Sequence, residues 1–177
     1  MGCGLEVEYD ANTDVLVVSG AVDGGTAAAR IGFGCEHPNG PVARLGWTCD
    51  ATGHLCRLEI TGAQALLDYH RRRSASEGPP RLGVEAVRAR VAYAAGEYAP
   101  TWDVLYVDLV GERDRGTEWN DLWAECDACL DDGSPFFGLC IDINGRLNGV
   151  IIEFPNGVIR VPPDAEKLAD DDPRWPN

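Results

Sequence analysis

Apolar positions along this chain come mostly in short runs or in strict alternation, a pattern that predicts strands rather than long helices. Val15-Leu16-Val17-Val18 and Val104-Leu105-Tyr106-Val107 are unbroken apolar runs, each entered through an aspartate, Asp14 or Asp103. Both read as buried strands. Residues 85–93 alternate, with Val87, Ala89, Val91 and Tyr93 on one face and Arg88 and Arg90 on the other, as in a half-exposed strand. Asp50-x-x-Gly53 and Asp142-x-x-Gly145 are turn signals, because aspartate accepts from its own turn and glycine takes positive φ. They predict two hairpins, residues 43–48 with 55–60 and residues 137–143 with 147–154. Residues 62–73 follow a helical period, with Thr61 as the expected N-cap and Arg71, Arg72 and Arg73 suited to the C-terminal end. A second amphipathic helix is expected over 118–130, a short strand over 158–161 and a helix start over 164–168. The glycines of 20–25 and 32–34 read as loop glycines.

The blocks repeat in order. Glu8-Tyr9 and Glu97-Tyr98 each stand four residues before an Asp-Val-Leu, giving E-Y-x4-D-V-L-x-V twice. The two D-x-x-G-x-L turns then follow in the same order, each leading into an apolar run that carries a glutamate, Glu59 or Glu153. A second register pairs Val7-Glu8-Tyr9 with Val91-Ala92-Tyr93, and the sequence leaves both open. Ordered self-similarity of this kind is the mark of a tandem duplication. The expected fold is therefore α+β: two repeated β-meander/hairpin modules, each followed by a helix, packed as a pseudo-twofold unit. Residues 1–76 form the first module, 77–82 a linker in a Ser-, Gly- and Pro-rich stretch, 83–163 the second module with an insert, and 164–177 an acidic tail. Together they make one globular unit.

These motifs resemble the bacterial family called Domain of Unknown Function 2283, whose pattern runs Y-D, D-x-L-Y, then D-x-(D/N)-G with a following glutamate. Tyr9, Asp10, Asp14, Leu16, Asp50, Gly53, Leu55, Glu59 and Ile60 match it in the first module. Asp103, Leu105, Tyr106, Asp142, Asn144, Gly145, Leu147, Gly149 and Glu153 match it in the second. Arg57 stands where the family usually has glycine, and Glu153 comes late. The resemblance implies a small β-rich fold in tandem. Because some single-module relatives are encoded beside small toxins, it also implies an antitoxin-like role.

Composition narrows the partners. The 177 residues carry a formal net charge of −14, and Lys167 is the only lysine. Such a surface repels phosphate backbones and anionic bilayers and attracts basic proteins or cationic small molecules. The N-terminal MGCGLEVEYD has neither a basic nor an apolar signal region, and no segment reaches the length of a membrane-spanning helix. Position six is Glu6 rather than the Ser or Thr of a myristoylation signal. Seven cysteines without a signal read as reduced thiols, which predicts a cytoplasmic protein.

Candidate chemistry is sparse. Cys126-x-x-Cys129 is half of a zinc site and lacks a second ligand pair at suitable spacing, so its ordinary reading is two small side chains on the 118–130 helix. His54 falls on a hairpin tip and His70 at a helix end, both surface positions. Glu59 and Glu153, if the modules face each other, form a carboxylate pair across a cleft; otherwise each points to solvent or meets an arginine. Trp119, Trp123, Phe136 and Phe137 fall in the insert of the second module and form either a core stripe, a pocket wall or a partner-binding anchor. The leading expectation is a non-enzymatic acidic protein that binds a basic protein partner, as antitoxins and immunity proteins do. The rival is a small-molecule pocket protein or cyclase-like enzyme built on the aromatic insert 119–137.

Overall fold

The computed structural model describes residues 4–20, 29–36, 42–74, 81–85, 88–95, 102–110, 122–125, 136–141, 145–155 and 159–169. In chain order they form β1 (Glu6–Asp10), β2 (Val15–Ser19), β3 (Ala29–Glu36), β4 (Val42–Cys49), β5 (Leu55–Thr61), α1 (Ala63–Ser74), β6 (Arg88–Ala95), β7 (Trp102–Val110), β8 (Leu122–Glu125), β9 (Phe136–Ile141), β10 (Leu147–Pro155) and β11 (Glu166–Lys167). One sheet has the order β1-β2-β5-β4-β3 and the other β11-β6-β7-β10-β9-β8. Every pairing is antiparallel except that of β11, which lies parallel to β6. With β11 set aside, each sheet runs first, second, fifth, fourth, third in its own chain order. The described residues are β-rich, two sheets and a helix, and broadly α+β.

Alternation fixes the faces. Leu16, Val18, Leu45, Trp47, Leu58 and Ile60 point inward from the first sheet, and Leu105, Val107, Leu109, Phe137, Leu139, Ile141, Val150, Ile152 and Phe154 from the second; all join one continuous core. Ala63, Leu66 and Leu67 bring one face of α1 into that core. Each such side chain removed from water contributes about 1.5–3 kcal/mol, so the inner faces dominate the stability.

The first hairpin is as the sequence predicts. The Asp50 N–H donates to the His54 carbonyl (3.0 Å), and Gly53, at φ +94°, donates back to the Asp50 carbonyl (3.1 Å). Gly145 takes φ +82° at the matching place in the second sheet, while residues 142–144 lie outside the described set. The helix differs in its cap. Thr61 is the last residue of β5, paired with Val15 and Arg44. Its side chain is not the N-cap; the cap comes from Asp14, fifty residues back. The Gln64 and Ala65 N–H groups donate to Asp14 Oδ1 (2.7 Å) and Oδ2 (3.1 Å). The Gly62 N–H donates to the Asp14 carbonyl (2.9 Å), and Asp14 itself sits at φ +53° to reach all three.

Other expectations are corrected. The helix start expected over 164–168 is β11, which the open edge of β6 recruits: Glu166 pairs with Ala92, Lys167 with Tyr93, and the Leu168 N–H donates to the Tyr93 carbonyl (3.0 Å). Within 118–130, residues 122–125 are strand rather than helix, because the edge of β9 offers ladder bonds to them; the rest of that stretch lies outside the described residues. Gly32-Phe33-Gly34 belong to β3, paired with β4, and are not a loop. Residues 159–161 form no strand. The linker at 75–80 and the tail from 170 onward lie outside the described residues.

Among the described residues, three junctions join the sheets. The Ala89 N–H donates to the Leu5 carbonyl (2.8 Å), an antiparallel bridge between the starts of β6 and β1. Gly83, which follows α1, exchanges bonds with Gly145 and Leu147 at the start of β10 (2.8 and 2.9 Å). Arg160 and Pro163, which follow β10, pack on Gly53 at the first hairpin tip. The ladders also fix a register: Tyr9 pairs with Leu16 in the first sheet, and Tyr93 with Leu105 in the second. Tyr93, rather than Tyr98, therefore holds the place of Tyr9.

Candidate functional site

The sequence-derived site residues scatter. Trp119, Cys126 and Cys129 lie outside the described residues. Phe137 is fully buried on the inner face, paired with Ile152, and is core. In the backbone ladder Trp123 pairs with Cys140 and Phe136 with Glu153.

Glu59 and Glu153 are not equivalents. Glu59 pairs with Val17, whose counterpart in β7 is Tyr106, and Tyr106 pairs with Ile151. Glu153 pairs with Val104 and so takes the place of Thr61. The apparent match arose because both runs carry a glutamate, two residues out of step. Glu59 is satisfied locally: Arg57 Nε and NH2 both donate to its Oε2 (3.0 and 2.8 Å).

The middle of the second sheet's outward face is buried. Tyr106, Cys140 and Ile151 form a second apolar cluster, against which Val104 packs. The Tyr106 ring lies over Gly149, where a Cβ would overlap its carbons and hydroxyl. That contact explains the glycine, and it explains the first sheet's departure. There Val17 replaces the tyrosine, and Arg57 stands at the glycine's place, opposite Ser19. Asp108 is also buried on this face, and Arg90 Nε donates to its Oδ2 (2.8 Å).

Two groupings look chemical at first sight. At the first hairpin tip, Thr52 Oγ1 lies 2.7 Å from Asp50 Oδ1 and 2.6 Å from His54 Nδ1. A catalytic triad needs the carboxylate and the hydroxyl on opposite ring nitrogens. Here Asp50 Oδ2 approaches the same Nδ1 (3.6 Å), so the trio closes a turn. The Thr52 hydroxyl and the Thr52 and His54 N–H groups hold the Asp50 carboxyl below its ordinary value. Cys49 and Cys56 lie close by at the bulge between β4 and β5, where burial pushes both thiols up. Neither is activated as a thiolate nucleophile. Cys49 Sγ instead accepts from Trp47 Nε1 (2.8 Å).

The remaining feature is the outer strand of the first sheet. β1 alternates exposed and half-buried, with Glu6, Glu8 and Asp10 exposed in a row and Val7 and Tyr9 packed against the core. Side chains two apart on a strand are about 7 Å apart. Asp10 is fixed: its carboxylate accepts from the Asn12 N–H (2.9 Å) and the Thr13 hydroxyl (2.8 Å), which hold it below its ordinary value. The pairing residues of β2 are Ser19, Val17 and Val15, and on the other side the antiparallel Leu5–Ala89 bridge sets Arg88 opposite Glu6. Alternation in the sequence contained this row, but the run of 6–10 is too short to show which strand lies at the sheet's edge. No family model matches this chain, and neither does a curated protein or a solved structure.

Proposed function

We propose that this chain is a non-enzymatic acidic binding protein that neutralises a basic protein partner in the cytoplasm, in the manner of an antitoxin or immunity protein. The observation that carries the reading is the exposed row Glu6, Glu8 and Asp10 on β1, within a chain of net charge −14. The family resemblance of the motif residues favours the same role. In the same proposal, the two sheets descend from one duplicated module and sit about a pseudo-twofold axis. Their shared strand order supports this. So does the Leu5–Ala89 bridge, which joins two positions that the ladder registers make equivalent. Each hairpin tip is also met by the segment that follows the last strand of the other sheet.

The test is capture of basic proteins on the immobilised chain at low and high salt, beside a Glu6→Lys/Glu8→Lys variant. Screening shortens from about 10 Å at 0.1 M salt to 3 Å at 1 M. The expected result is a basic protein released by salt and not held by the variant. Equal retention by both chains would overturn the reading.

A further inference from the structure

We infer that Cys49 and Cys56 form a reversible dithiol–disulfide pair, oxidised by a glutathione-type disulfide, and that closing the bond staples the first hairpin tip to its strands. Such a pair acts whether or not a basic partner binds.

Register brings the two side chains together. On the inner face β4 carries Ala43, Leu45, Trp47 and Cys49, and β5 carries Leu58 and Ile60. Cys56 shares the parity of Leu58 and Ile60 and so falls on that face. Thr48 pairs with Arg57, but Cys49 pairs with Leu55. Cys56 is thus the extra residue of a bulge, in which two residues of β5 oppose Cys49 alone. Residues opposed across an antiparallel ladder have Cα atoms about 4.5–5.5 Å apart, inside the span that a disulfide bridges. Burial pushes the Cys49 thiol up, and Cys56 adds to that rise, so each sulfur lies within the field of the other.

The two thiols differ in access. Cys49 is buried, and its Sγ accepts from Trp47 Nε1 (2.8 Å). Cys56 is half-buried, and its S–H donates to the His54 carbonyl (3.7 Å). A small disulfide therefore meets Cys56 first. The Cys56 thiolate attacks one sulfur of oxidised glutathione and releases a glutathione thiolate. The Cys49 thiolate then attacks Cys56 Sγ; the bond from Cys56 to glutathione breaks, and the Cys49–Cys56 bond forms. The two cysteines lose two electrons, oxidised glutathione becomes two thiols, and the cysteine protons end on them. Reduced glutathione runs the exchange backwards. Both thiols stand above their ordinary value, burial being the first cause, so exchange is slow and the pair is a staple rather than a catalyst.

The ring that this bond closes contains the hairpin tip. Gly53 of the tip packs against Arg160 and Pro163, and the Cys56 carbonyl accepts from the Gly20 N–H (3.0 Å). Oxidation thereby stiffens a junction between the two sheets.

The test is incubation of the folded, intact protein with oxidised glutathione, followed by alkylation and tryptic mass mapping. Cleavage after Arg44 and Arg57 leaves both cysteines in one peptide, residues 45–57. The expected result is that peptide unalkylated and two hydrogens lighter, restored to two alkylated thiols after reduced glutathione. The oxidised protein is also expected to unfold at a higher denaturant midpoint than the reduced protein. That difference is expected to vanish in Cys49→Ala and in Cys56→Ser, the second of which changes only a half-buried position. Two alkylated cysteines in the folded protein after oxidation would overturn the inference. So would glutathione retained on Cys56, a Cys56 link to another chain, or equal midpoints for the oxidised and reduced protein.

Discussion

Asp14 is the residue on which the first sheet and the helix depend together, and its replacement gives a graded prediction. Asp14→Ala removes the charged acceptor of the Gln64 and Ala65 N–H groups, an N-cap loss of about 1–2 kcal/mol. It also strips the acceptor from the half-buried Tyr9 hydroxyl, which donates to Asp14 Oδ1 at 3.1 Å; that adds about 0.5–1 kcal/mol. Alanine tolerates φ +53° less well than aspartate does. The total is about 2–3 kcal/mol. Asp14→Gly loses the same bonds but relieves the left-handed backbone by about 1 kcal/mol, and falls between. Asp14→Asn keeps an acceptor and loses mainly the charge–dipole contribution, about 0.3–1 kcal/mol.

Urea unfolding followed by tryptophan fluorescence reads these losses, since Trp47 is only 1% exposed. The expected order of destabilisation is alanine, then glycine, then asparagine. Thr61→Ala is the control, because Thr61 ends β5 and caps nothing. A Thr61→Ala loss as large as that of Asp14→Ala would refute the reasoning. So would an Asp14→Ala loss below about 0.5 kcal/mol, the ordinary scatter of surface changes.

Gly149→Ala is expected to cost about 1–3 kcal/mol by overpacking against Tyr106, and a Tyr106→Val background is expected to erase most of that in a double-mutant cycle. Arg90→Met removes the guanidinium that bonds the buried Asp108 carboxylate, and the unfolding free energy is expected to fall by about 1.5–3 kcal/mol, read as a lower denaturant midpoint. Burial first, and Asp14 second, push the Tyr9 hydroxyl well above its ordinary value of 10.0. The folded state then keeps a proton that the unfolded state releases, so this contribution is present below pH 10 and lost as pH rises beyond it. Tyr9→Phe is expected to flatten that alkaline decline in a pH series of thermal melts.

Apolar runs with period two made the central strands legible in sequence, and Asp50-x-x-Gly53 made the hairpin legible, because burial and turn chemistry are local. α1 was legible for the same reason. Its cap was not, since Asp14 lies fifty positions away and any serine or threonine before a helix looks sufficient. β11 was missed because two residues have no period, and an open edge on β6 decides their state. Residues 122–125 misled through a helical spacing of Trp119 and Trp123 that the edge of β9 overrides. Glu59 and Glu153 misled for another reason: a motif match ignores register, and on a strand an offset of two residues exchanges one cross-strand partner for another. The acidic row of β1 was present in the sequence as an alternation too short to place; its position in the sheet needed the topology.

Tyr106 with Gly149, and Val17 with Arg57, show how one scaffold yields two different outward faces. A ring laid over a glycine is fully buried in the second sheet, and Ile151, Cys140 and Asp108 are buried with it. At the same positions the first sheet has a small apolar side chain and an arginine tied to Glu59, both compatible with water. The edges diverge in the same sense, because β6 is completed by β11 and β1 carries three exposed carboxylates. On the proposed duplication, the second module turned its outward surfaces to internal packing and the first kept them in solvent. Exposed carboxylates along an edge also prevent self-pairing, so the row has a structural use whether or not a partner binds.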